Sequence, residues 1–208
     1  DLDALKKKFI GMYGEGGFSV YFAPGRVNLI GEHTDYNGGY VFPCALNFGT
    51  YAVARRRNDS AIKFASSNFE LAVSIEDGSI KYLKEDDWAN YPKGIVEELR
   101  ERGFEIGGFE VLYGGDIPNG AGLSSSASIE LVTAVMLKDL FGCGIGMMDL
   151  VRLSQKAENE FVGMKCGIMD QFAVGMGRRG RAVFLNCRTL EYRYVPLRLD
   201  GCKLVIAN

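Results

Sequence analysis

Residues 116–127 read Asp-Ile-Pro-Asn-Gly-Ala-Gly-Leu-Ser-Ser-Ser-Ala, a glycine- and serine-rich loop between a β-forming run at 109–113 and a long apolar helical stretch at 124–140. Glycines let the backbone adopt positive φ and approach an anion closely. The helix start behind them offers unpaired N–H groups and the positive end of a dipole. Ser124, Ser125 and Ser126 can cap that helix, donate hydroxyls to an anion, or give an oxygen to magnesium. No Gly-Lys-Ser/Thr follows the glycines, so this is not a Walker loop. A plain glycine turn with a serine cap is the alternative.

Around this unit the pattern mixes strands and helices. A short amphipathic helix is expected over 1–13, with Leu2, Leu5, Phe9 and Ile10 between lysines, ended by the glycines of 14–17. A strand over 19–23 should turn at Pro24-Gly25. Further strands are expected over 50–57, 61–65 and 69–75. A helix over 88–102 places Ile95, Val96 and Leu99 on one face and closes at Gly103. Two more helices follow, over 147–161 and from Met169 or Asp170, then strands over 182–186, 192–195 and 203–207. The last of these is apolar with nothing after it, which reads as a fragment.

With 208 residues, 47% of them hydrophobic, the chain can bury a core of its own. A net charge of −2 speaks against nucleic acid or an anionic membrane as the main partner. Arg55, Arg56 and Arg57, and Arg178, Arg179 and Arg181, read as solvated strand ends or turns. No apolar run is long enough to cross a bilayer, and the N-terminal residues lack a signal-peptide pattern. Five scattered cysteines without a C-x-x-C pair read as reduced thiols of a cytoplasmic protein. A single histidine, His33, excludes a histidine-rich metal site.

The stretch from Gly25 to Gly39 sets Arg26, Asn28, Glu32, His33, Asp35 and Tyr36 among glycines after the first strand. Two carboxylates and an imidazole within four residues suit the hydroxyls of a sugar, each wanting a donor and an acceptor. A solvated turn is the alternative on chemistry alone.

This stretch resembles the signature of galactokinases, and the serine-rich loop resembles the second motif of the wider GHMP small-molecule kinases. Cys166-Gly167-Ile168-Met169-Asp170-Gln171-Phe172 and Trp88-Ala89-Asn90-Tyr91, with Lys93-Gly94 after it, are similar to further galactokinase motifs. The resemblance runs along essentially the whole chain. It implies an α+β fold, with 1–208 as a GHMP kinase N-terminal domain of mixed sheet and helices, and its last strands leading toward an absent C-terminal half. It implies transfer of the γ-phosphoryl group of ATP to the C1 hydroxyl of galactose. A related N-acetylgalactosamine kinase and a non-catalytic galactose sensor are the alternatives. The sensors lack the Ser-Ala pair that stands here as Ser126-Ala127.

By the same resemblance Asp170 is the catalytic carboxylate with Arg26 beside it. Glu32, His33 and Asp35 hold sugar hydroxyls, and Gly167 gives a backbone contact near the sugar. Trp88 lines the adenine pocket, and Pro118, Gly120, Gly122, Leu123, Ser124, Ser125 and Ser126 bind the nucleotide. Mg2+ falls to Ser126 and Glu158, with Glu130 a competitor by its spacing from Ser126. The absent half would bring a third glycine-rich motif and a sugar-contacting tyrosine, so the isolated piece is expected to be inactive. Phosphoryl transfer depends mainly on positioning and charge stabilisation, so the orientation of Asp170 can matter more than its strength as a base.

Overall fold

The computed structural model describes residues 1–118 and 121–206. In chain order these form α1 (Leu2–Tyr13), β1 (Ser19–Asn28), β2 (Tyr40–Val41), β3 (Pro43–Arg56), β4 (Ile62–Ser66), β5 (Val73–Ile75), α2 (Asn90–Glu101) and β6 (Phe109–Gly115). There follow α3 (Ser125–Phe141), α4 (Met147–Lys156), α5 (Met169–Met176), β7 (Arg181–Asn186) and β8 (Tyr192–Pro196). A five-stranded sheet runs β1-β3-β6-β4-β5 and a three-stranded one β2-β7-β8. In the larger sheet only the β4–β6 pair is parallel. The result is an α+β fold.

Both faces of the larger sheet are covered, and the sequence of β3 shows how. Ala52 and Ala54 face the main core while Val53, between them, faces α1 with Leu5, Phe9 and Leu112. Successive strand residues point to opposite faces, so two-sided cover makes the run Ala52-Val53-Ala54 apolar throughout. The same holds for β6, buried from Phe109 to Gly114. The inner face packs α3, whose Ala127, Leu131, Val132, Ala134, Met136 and Leu137 are all within the core. Burying one such leucine or methionine contributes about 1.5–3 kcal/mol, which anchors α3 and the loop before it. α3 in turn touches α2, α4 and α5.

Several expectations are corrected. Pro24-Gly25 does not turn the chain: β1 runs on to Asn28, while its partner on β3 jumps from Gly49 opposite Pro24 to Ala45 opposite Arg26. The crossing is tight enough that a Cβ on Gly49 would lie 2.0 Å from the Ala23 carbonyl oxygen. The helix expected from Trp88 is a 3-10 turn over Lys84–Ala89, kinked at Asp87 (φ 40°), followed by α2. The Asn90 side chain ties the kink by donating to the Leu83 and Asp87 carbonyls at 2.7 and 3.2 Å. The helix expected over 147–161 is α-helical only to Lys156 and ends in a π-turn, Ala157–Val162. The strand expected over 69–75 shrinks to Val73–Ile75. Residues 203–206 form no strand, and 207 lies outside the described residues. Among the described residues no helix is long and apolar enough to cross a membrane.

Candidate active site

The register jump in β1 places Arg26 on a strand facing the start of α5, where Asp170 sits in the first turn. The guanidinium grips the carboxylate with two donors, Nε to Oδ1 at 2.8 Å and Nη2 to Oδ2 at 2.7 Å. Such a fork fixes the carboxylate plane as well as its position. Its third nitrogen, Nη1, donates to the Gly122 carbonyl at 2.6 Å, and the Arg26 backbone N–H donates to Leu123 O at 3.2 Å. Arg26 thereby joins β1, the serine-rich loop and α5. Gly25 permits the close approach, since a Cβ there would meet Leu123 O at 3.0 Å.

Ser124 does not cap α3. Its backbone is left-handed, with φ 59°, and its hydroxyl turns away from the helix to donate to Asp170 Oδ2 at 2.5 Å. Gly122 (φ 65°) and exposed Pro118 shape the loop, with the Ala121 N–H donating to Pro118 O at 3.3 Å. Leu123 is buried and anchors the loop in the protein. Gly120 lies outside the described residues. Ser125 and Ser126 open onto a cavity of about 160 Å³ that Phe69, Trp88, Tyr91 and Ile117 also line. Trp88 stacks on Phe69 with ring centroids 6.3 Å apart, and its buried indole N–H has no partner among the described residues. Asn68 steadies the wall by accepting from the Gly115 N–H and donating to its carbonyl, at 2.9 and 3.0 Å. Sequence reading missed Asn68 and Phe69, whose segment carries no motif.

The loop between β1 and β2 is held by Thr34, whose hydroxyl donates toward the Gly31 and Tyr40 carbonyls at 2.8 and 2.7 Å. Asp35 is seated against Gly167, where a Cβ would fall 2.0 Å from Asp35 Oδ2. Asp35 and Gly167 are thus brought together, three residues before Asp170. Glu32 and His33 are exposed and engaged locally instead. Glu32 accepts from the Asn28 amide at 3.0 Å, and His33 Nδ1 lies 2.7 Å from the Tyr36 hydroxyl.

Glu158, on the π-turn, and Glu130, on α3, are both buried and share one amide. Gln171 Nε2 donates to Glu158 at 2.6 Å and to Glu130 at 3.1 Å, leaving Glu130 Oε1 with no partner among the described residues. Burial raises the pKa of each; Glu158's charge raises Glu130 further, and the Ser126 hydroxyl works the other way on Glu158. Two adjacent carboxylates with an orphaned oxygen fit a cation. Among the described residues no group of three or more His, Cys, Asp or Glu side chains is placed to hold a metal ion together. Carboxylate oxygens are hard donors of the kind magnesium takes one or two at a time while keeping most of its waters.

The chain matches the galactokinase galactose-binding signature over residues 7–56 and the GHMP kinase N-terminal domain over residues 90–178. It is 54% identical to the galactokinase of Clostridium tetani over all of its length, and 54% identical to that of Bacillus subtilis over 99% of it. It spans about half the length of these curated relatives, 53% and 54%. A crystal structure of Lactococcus lactis galactokinase complexed with galactose superposes with a TM-score of 0.91 at 45% identity, covering 95% of this chain and 52% of that one. Methanococcus jannaschii mevalonate kinase shares the fold at 18% identity, with a TM-score of 0.73 over 90% of this chain and 58% of that one. The motif order, the mixed sheet and these likenesses agree, and the chain belongs to the galactokinase family of GHMP kinases.

Proposed function

We propose that residues 1–208 are the N-terminal domain of a galactokinase, which moves the γ-phosphoryl group of ATP to the C1 hydroxyl of galactose. The observation that carries this reading is the Arg26 fork on Asp170, made at the point where the loop at 122–124 meets α5. The loop between β1 and β2 offers Glu32, His33 and Asp35 to the sugar hydroxyls, with Gly167 backing Asp35. Adenine fits the cavity beside Trp88, and the phosphates lie over the serine-rich loop at the start of α3. Ser126 and Glu158 would hold magnesium, with Glu130 behind them. The ion would neutralise charge on the β- and γ-phosphates. Asp170 orients the C1 hydroxyl and takes its proton, while Arg26 keeps the carboxylate from turning away. Holding both reactants in line supplies most of the acceleration such a site can give. The rest of the cleft comes from the C-terminal part of a longer, cytoplasmic protein.

The test is a coupled assay of that longer protein against galactose, N-acetylgalactosamine and glucose, with Asp170→Asn alongside. Turnover with galactose should exceed that with the other two sugars. Asp170→Asn should cut it at least about a hundredfold, as loss of a positioned general base does, while galactose binding persists. A loss under about threefold would remove Asp170 from the mechanism.

A further inference from the structure

Resting on that reading, we infer that Ser124 is a positioning residue for Asp170: its hydroxyl occupies Oδ2 so that Oδ1 is the oxygen that meets the sugar hydroxyl. A carboxylate has about four lone-pair positions. At Asp170 the described residues take three, two by the Arg26 fork and one by Ser124 Oγ. Among the described residues, Oδ2 accepts both the Arg26 Nη2 and the Ser124 hydroxyl, whereas Oδ1 accepts only Nε. The open position therefore lies on Oδ1. Without Ser124 the two oxygens become nearly equivalent acceptors, and the incoming hydroxyl can bind either in a pose not aligned with the γ-phosphoryl group.

The backbone supports a dedicated role. A serine at the start of a helix ordinarily has an extended backbone and turns its oxygen to the helix N–H groups. Ser124 instead stands in the left-handed region at φ 59°, which costs a non-glycine residue about 1–3 kcal/mol. The neighbouring carbonyls that accept from Arg26, those of Gly122 and Leu123, hold the loop in that path. The Ser124 hydroxyl is buried against Asp170, so α3 is capped by nothing from this side chain.

The test is steady-state kinetics of Ser124→Ala and Ser124→Gly in the longer protein, each with and without Asp170→Asn. Glycine accepts the left-handed backbone without strain, so Ser124→Gly keeps the test available if the alanine variant folds poorly. Expected is a kcat lowered about tenfold to a hundredfold, the range for a lost hydrogen bond to a charged group, with KM for ATP and for galactose within about threefold. In the Asp170→Asn background the same change should cost less than about twofold, because the side chain acts through that carboxylate. A kcat within about twofold of the parent, or a raised KM for ATP at unchanged kcat, would overturn the inference by making Ser124 a nucleotide contact only. An equal loss in both backgrounds would overturn it too. Full activity of Asp170→Asn would instead remove the reading beneath it.

Discussion

Replacing Arg26 by lysine keeps the positive charge and removes the geometry. An ammonium can satisfy one oxygen of Asp170, but it cannot make the parallel Nε and Nη2 contacts and also reach the Gly122 carbonyl. At least two of three side-chain hydrogen bonds are lost. Each bond to a charged group contributes about 1.5–3 kcal/mol when well shielded. Here the Arg26 and Asp170 side chains are 12% and 26% exposed, so water recovers part of the loss. A net cost of about 2 kcal/mol follows once screening is counted. For a domain of this size that is a fall of about 4–8 °C in Tm. The effect on turnover should be larger than the effect on folding. A carboxylate free to rotate leaves the in-line pose much of the time, which costs about a hundredfold in kcat. Differential scanning calorimetry and initial-rate kinetics on the same preparation measure both. Arg26→Lys with turnover within about threefold of the parent would refute the argument, because charge rather than the fork would then suffice.

Gly167→Ala should act at a distance from its own atoms. The added methyl displaces the Asp35 carboxylate, so galactose binding should weaken about tenfold to a hundredfold while ATP binding is spared; calorimetric titration showing equal losses would mean that the loop collapses. For Glu130, burial holds the folded carboxyl above its ordinary pKa, so folding takes up a proton. Stability then declines as pH rises from about 4.3 through the raised folded value, by up to about 1.4 kcal/mol per pH unit. Glu130→Gln in magnesium-free buffer should flatten that decline and melt higher than the parent at pH 8; parallel melting curves from pH 5 to 8 would show that Glu130 is not the titrating group.

What the sequence made legible was local. The serine-rich loop and α3 follow from glycines, serines and apolar spacing within one stretch, and they appear where expected. The polar loop before β2 is likewise contiguous. The pairing of Arg26 with Asp170 spans 144 residues, and no spacing rule reaches that far; only the resemblance placed the two side by side. Pro24-Gly25 carried a turn signal, but glycine at 49 lets β3 cross so closely that the strand continues through it. Ser124 carried a capping signal, and tertiary contact with Asp170 redirected its hydroxyl. β2 and β5, of two and three residues, exist because neighbouring strands pair with them, and their own composition says little. The cavity wall at Asn68 and Phe69 comes from a connection whose residue types are ordinary.

The hub at Arg26 also bears on when this protein can acquire a working site during its synthesis. Its three partners, Gly122, Leu123 and Asp170, leave the ribosome at least 96 residues after it. At about 5–20 residues per second, Arg26 waits roughly 7 to 30 seconds for Asp170. Until α5 docks, a guanidinium destined for partial burial has no carboxylate to meet. Contacts of such long separation form late and slow the search for the native topology. The nascent chain therefore cannot assemble the site around Asp170 until at least the first 170 of its 208 residues have been made. A ligand that needs that pairing can stabilise the domain only after this closure, so it can secure the finished fold but cannot guide its early steps.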